Sequence, residues 1–249
     1  MPGQLPLRAS TRPAGQLPEE GGALAELAAE PWGAEGLRVD WAVMDRPEEL
    51  VARTEELIRA GRFFFERGWV PATAGNFSAR LDERHLVITT SGRHKGELDA
   101  DGFLLMGLDG EVLSPGRKPS AETALHLQLY RREPSVGAVL HTHSLQATLL
   151  SRLSRGVLVL EGYEVLKALS GVDTHEVRLE VPVFPNDQDI PRLAARVESH
   201  MREHPGLHGY LIEGHGFYTW GRTVAEARRH VEAFEFLFQC ELEMRRLTR

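Results

Sequence analysis

From Leu50 onward, apolar positions recur with a helical period, through Thr54, Leu57, Ile58 and Phe65 to Gly68. Asp45 stands where an N-cap belongs and Pro47 where a first turn tolerates proline, so a helix is predicted to start there. The pattern then alternates between two periods. Leu86 to Thr89 reads as a strand, and Phe103 to Leu113 as a hairpin about the Asp109-Gly110 turn. Ser120 to Arg132 reads as a helix capped by Ser120. Val136 to His143 is a buried strand leading into a helix from Leu145 to Leu153. A strand over Val177 to Phe184 and a helix over Ile190 to Glu203 follow. Short strands at His208 to Ile212 and Phe217 to Trp220 precede a last helix from about Thr223 to Leu247. Helices alternating with strands, hairpins among them, predict a three-layer α/β/α sandwich around a mixed, mainly antiparallel central sheet.

The N-terminal part reads differently. Gly, Pro, Ala and Glu dominate Met1 to Glu35 without a sustained apolar period, so residues 1–43 are expected to form a disordered or weakly helical extension. Residues 44–249 then form the folded domain, long enough to bury a substantial core. With 42% hydrophobic and 26% charged residues, the composition is that of an ordinary globular protein. A net charge of −7 argues against a nucleic-acid or anionic-membrane surface, so any anionic ligand must be met locally. No apolar run approaches membrane-spanning length. The single cysteine, Cys240, cannot pair internally and reads as a core position on the last helix, which suits a reducing, cytoplasmic setting.

Candidate chemistry begins at His141-Thr142-His143, which ends the apolar run from Val136 to Leu140. On a strand, residues two apart share a face about 6.5–7 Å apart, so two imidazoles can close on one ion. His215 lies between Gly214 and Gly216 after the apolar Tyr210-Leu211-Ile212. Three histidines at the ends of buried strands suggest a three-His site with an open fourth position; zinc leads on ligand type, while iron, cobalt and manganese suit the same set. His85, His94, His126, His175, His200, His204, His208 and His230 lack this context and read as surface or packing residues.

Residues suited to an anion lie elsewhere. Gly75-Asn76 and Ser91-Gly92 read as turns, the latter able to form a backbone nest after a strand. Ser120 would open a helix whose N-terminus favours an anion. Arg93, Lys95 and Lys118 are near enough in sequence to add positive charge.

Together these segments resemble the class II aldolase/adducin family. The resemblance rests on Gly75-Asn76-Phe77-Ser78, Thr90-Ser91-Gly92, Lys118-Pro119-Ser120-Ala121-Glu122, Ala138 to Ser144 and Gly214-His215-Gly216. Leu160 to Lys167 and Val181 to Asn186 are similar, more narrowly, to its dehydratases of a methylthio-substituted ketose phosphate. The resemblance covers roughly Met44 to the C-terminus. It implies a homotetramer with active sites at subunit interfaces and one Zn2+ per subunit on His141, His143 and His215. It also implies Glu164 as the dehydratase acid/base, with Gly75, Asn76, Ser91, Gly92, Ser120, Glu122 and Lys95 around a small phosphorylated sugar. In the family's aldolases the proton-transfer role falls to the glutamate of the Pro-Ser-x-Glu motif, here Glu122. An aldolase or epimerase on another ketose phosphate is therefore the alternative, and a non-catalytic adducin-like module a more distant one. Glu213, two residues before His215, departs from the basic or neutral residue expected there.

Overall fold

The computed structural model describes residues 47–248; the N-terminal extension and the Asp45 cap lie outside them. Eight strands form one sheet: β1 (Asn76–Arg80), β2 (His85–Thr89), β3 (Phe103–Gly107), β4 (Ala138–Thr142), β5 (Val157–Leu160), β6 (Leu179–Phe184), β7 (Gly209–Ile212) and β8 (Gly216–Gly221). Their spatial order is β3-β2-β1-β4-β8-β7-β6-β5, antiparallel throughout except for β6 beside β7. Among the described residues the α-helices are α1 (Pro47–Glu66), α2 (Thr123–Arg132), α3 (Leu145–Leu153), α4 (Ile190–Glu203) and α5 (Val224–Leu247). This is the expected mixed, mainly antiparallel sandwich.

Strand alternation assigns the layers. Ala138 and Leu140 of β4 join a core with α1 and the start of α5, whereas Val139 joins one with α2 and α4. On β8, Phe217 packs on Phe234 and Phe238 of α5 at 4.6 and 5.0 Å, while Tyr218 and Trp220 face α2 and α4. Each fully buried Phe or Leu contributes about 1.5–3 kcal/mol, so apolar packing holds the layers together. Continuing the alternation along β4 turns His141 toward α2 and Thr142 toward α5.

Four expectations need correction. Helix α2 starts at Thr123, not at Ser120, because the Ser120 carbonyl accepts from both the amide and the hydroxyl of Thr123, closing a turn first. The hairpin shrinks to β3 with one isolated bridge, Met106 to Val112, because the Ser114 hydroxyl takes the Leu105 amide that a returning strand would have used. Strands β1 and β5, too short and mixed to stand out in the sequence, complete the sheet. Cys240 is half-buried on α5 instead of in the core.

Candidate metal centre

The three histidines meet at one end of the central strands. His141 is the penultimate residue of β4 and fully buried; His143 lies just past the strand, its amide donating to the Trp69 carbonyl at 2.8 Å. His215 sits in the β7–β8 turn. The turn can lie against β4 because residue 216 is glycine: a Cβ there would stand 2.2 Å from the Thr142 carbonyl oxygen and 2.9 Å from Cε1 of His141. Ring centroids are 4.4 Å apart for His141 and His143, 4.6 Å for His143 and His215, and 5.1 Å for His141 and His215.

Glu122, at the N-terminal edge of α2, closes the group. Its Oε1 lies 2.8 Å from Nε2 of His215 and its Oε2 lies 3.3 Å from Nε2 of His141. One ligand atom from each of Glu122, His141, His143 and His215 lies within 4.8 Å of all the others. The tautomer of His141 is set from behind: Nδ1 donates to the Phe217 carbonyl at 3.0 Å, leaving the Nε2 lone pair facing the cluster. Nε2 of His141 and Nε2 of His215 are 3.4 Å apart. Lone pairs converging on a carboxylate at this spacing fit a divalent cation.

The electrostatics agree. Burial pushes His143 down to about 4 and holds His141 well below its ordinary value, so both rings are neutral at pH 7 and free to ligate. Burial alone would raise Glu122. Hydrogen bonds from His215 and from the Asn76 amide oppose it, and the carboxyl stands well below the usual carboxylate range.

Behind Glu122 runs a directed chain of hydrogen bonds. The Tyr130 hydroxyl lies 2.8 Å from the Ser78 hydroxyl, which lies 2.7 Å from Nδ1 of His126. Nε2 of His126 donates to Oδ1 of Asn76. Because that oxygen is taken, the Asn76 amide points outward, donating to Glu122 at 2.5 Å and to the Ser120 hydroxyl at 3.2 Å. Burial keeps His126 at about 3, hence neutral. The Tyr218 hydroxyl donates to Glu122 at 3.2 Å, and its ring stacks on His141 at 3.9 Å between centroids. His126, read from sequence as packing, thus orients the site; its place four residues after Glu122 was the available signal. Asn76, His141 and Tyr218 are direct cross-strand neighbours on β1, β4 and β8, a register that no local pattern reveals.

The candidate anion-binding residues form three adjoining loops. Ser91 donates its amide to the Lys118 carbonyl at 3.1 Å, Asn76 reaches Ser120, and Lys95 donates to the carbonyls of Thr73 and Arg93 at 2.9 and 2.5 Å. Ser91, Gly92, Arg93 and Lys118 are exposed, whereas Lys95 is buried and fastens two of the loops. Burial lowers its pKa to about 8, opposed by the Glu122 charge. Gly75 has φ +82°, and a Cβ there would lie 2.7 Å from the His141 carbonyl oxygen, so the loop rests against the histidine strand. Glu164 lies apart. It opens a short 3-10 turn, Glu164–Ala168, is 69% exposed, and pairs with Lys167 at 2.5 Å and His175 at 3.6 Å. Glu213 is exposed as well, so its charge is spent in solvent.

Residues 55–242 match the family described as Class II Aldolase and Adducin N-terminal domain. The chain belongs to this family. It is 58% identical over 201 residues to the Methylthioribulose-1-phosphate dehydratase of Methylococcus capsulatus, which covers 81% of this chain and 98% of that protein. To the protein of the same name from Pseudomonas paraeruginosa it is 58% identical over 206 residues, covering 82% and 99%. Among solved structures, the L-fuculose-1-phosphate aldolase of Thermus thermophilus superposes with a TM-score of 0.65 at 26% identity, covering 80% of this chain and 98% of the other. The family sandwich therefore extends across the described domain. No helix among the described residues is long and apolar enough to cross a membrane.

Proposed function

We propose that this chain is a zinc-dependent hydro-lyase of methionine salvage that dehydrates 5-methylthioribulose 1-phosphate to 2,3-diketo-5-methylthiopentyl 1-phosphate. The observation that carries the reading is the convergence of His141, His143 and His215 on Glu122 in a chain 58% identical to dehydratases of that name. His141, His143 and His215 would hold the ion, which when bound supplies Lewis-acid polarisation of the substrate ketone.

The chain's own residues do the rest. Dehydration breaks the C3–H and C4–O bonds and forms a C3–C4 double bond, the proton and hydroxide leaving as water; the enol then gives up its C3 hydroxyl proton and takes one at C4 as it becomes the diketone. A carboxylate must therefore move protons at C3 and C4. Glu164 takes that role in this reading. Exposed on its own chain, it serves a site completed by a neighbouring copy in a homotetramer, while Glu122, oriented by Asn76 and Tyr218, shapes the site at the histidines. The loops of Gly75, Ser91-Gly92 and Ser120, tied by Lys95, receive the phosphate through backbone amides and the nearby cations. A cytoplasmic setting accords with the single, unpaired cysteine.

The test is product identity. Purified protein incubated with Zn2+ and the methylthio substrate should yield the diketone phosphate. Carbon–carbon cleavage products would instead assign an aldolase working through Glu122, and no turnover with any ketose phosphate would point to an assembly module.

A further inference from the structure

The face of β4 opposite the histidines meets a buried carboxyl that the proposed reaction does not use. Glu235 lies between Phe234 and Phe236 on α5 and is 2% exposed. Its Oε1 accepts from the Thr142 hydroxyl at 3.2 Å, and the Ser144 hydroxyl lies beside it. Oε2 has no hydrogen-bond partner among the described residues. Thr142 and Ser144 alternate with His141 and His143 along the chain. Successive side chains on a strand are joined by planar peptides, so fixing one face fixes the directions on the other. Ser144 also caps α3, accepting the Ala147 amide at 3.0 Å, which fixes the chain just past His143. A carboxyl buried beside the apolar cluster of Phe234, Leu237 and Phe238 is disfavoured, so apolar packing does not account for its presence.

We propose that Glu235 is a positioning residue for the metal centre, holding Thr142 from behind the sheet so that His141 and His143 keep their common aim. The proposal rests on reading these histidines as metal ligands. Burial pushes the Glu235 carboxyl up to about 7, giving it a neutral form close in shape and hydrogen bonding to a glutamine amide. Glutamine should therefore substitute for it.

The experiment is Zn2+ affinity of the full chain, measured by competition with a chromophoric chelator, with the melting temperature of metal-free protein recorded in parallel. Glu235→Leu and Thr142→Val should each weaken Zn2+ binding about 10–100-fold, as loss of partners behind metal ligands does. Combining them should add no more than about threefold, because both remove one interaction. Glu235→Gln should stay within about threefold of wild type. A purely structural role would lower the metal-free melting temperature while leaving affinity intact. Thr142→Val keeps the side chain's shape, so it decides the matter even if Glu235→Leu fails to fold. Wild-type affinity in Thr142→Val, or a loss in Glu235→Gln as large as in Glu235→Leu, would overturn the proposal. If His143→Ala binds Zn2+ as tightly as wild type, the metal reading itself fails, a result separate from either.

Discussion

The Glu122 carboxylate spans two strand ends, with Oε1 2.8 Å from Nε2 of His215 and Oε2 3.3 Å from Nε2 of His141. It draws the β7–β8 turn and the end of β4 onto one point, where His143 also arrives. The sheet behind that point is held by apolar packing on both faces. Removing one imidazole should thus abolish metal binding and leave the fold standing. His143→Ala is expected to lose roughly stoichiometric Zn2+ and all turnover while its far-UV circular dichroism matches wild type. Metal analysis of the purified variant checks this, and full activity without metal would refute the lyase reading.

Glu235 gives a pH signature in stability. Burial raises its carboxyl from 4.5 to about 7. Between those values the native state keeps a proton that the unfolded chain releases, so its contribution falls as pH rises through that window. Above about pH 7 the full penalty, on the order of 3 kcal/mol for a fully buried carboxyl, is in place. Glu235→Gln carries no such proton. The unfolding free energy of metal-free Glu235→Gln, relative to wild type, should therefore grow between pH 5 and pH 8 in urea titrations. A difference that stays flat would show that Glu235 ionises as in the unfolded chain.

How much of this was legible follows from range. The His141–His143 pair needs only the strand period, and His215 only its flanking glycines after an apolar run, so both stand out in the sequence. Helices α3 and α4 match their expected bounds because capping by Ser144 and Asp189 is local chemistry. Ser120 carried the right signal for the wrong purpose. Its hydroxyl accepts from Asn76, 44 residues earlier, as well as from the Glu122 amide, in the turn that precedes the helix. Tyr218 and Asn76 flank His141 only through strand register, which two short strands do not announce. That Glu122 touches the imidazoles while Glu164 faces solvent is likewise a fact of tertiary packing.

The N-terminal boundary is testable by truncation. The relatives from Methylococcus and Pseudomonas match 81–82% of this chain while being covered over 98–99% of their own length, so about a fifth of it has no counterpart in them. Among the described residues, helix α1 begins at Pro47 and the core clusters are built from residues beyond it. A chain starting at Met44 is expected to match the full chain in melting temperature and in kcat/KM. Insolubility or a large loss of activity would show that residues 1–43 pack on the domain.

The two carboxylates separate the dehydratase from the aldolase reading. Glu164→Gln keeps size and hydrogen bonding but cannot exchange a proton, so kcat and kcat/KM should fall together by about 10²–10⁴-fold with Zn2+ still bound. Glu122→Gln touches His141, His215, Asn76 and Tyr218, so its effect should appear first in metal or substrate affinity, with a smaller loss in kcat. The exposure of Glu164 adds a sharper test. If it serves a neighbouring copy, Glu164→Gln and His143→Ala chains, each inactive alone, should complement each other when co-expressed. In randomly mixed tetramers about a quarter of the sites would pair an intact histidine set with an intact Glu164, and activity should recover to about that share. Co-purified mixed tetramers with no activity would confine the site to one chain. Loss of turnover in Glu122→Gln with little change in Glu164→Gln would move the proton transfer to Glu122 and favour carbon–carbon cleavage as the reaction.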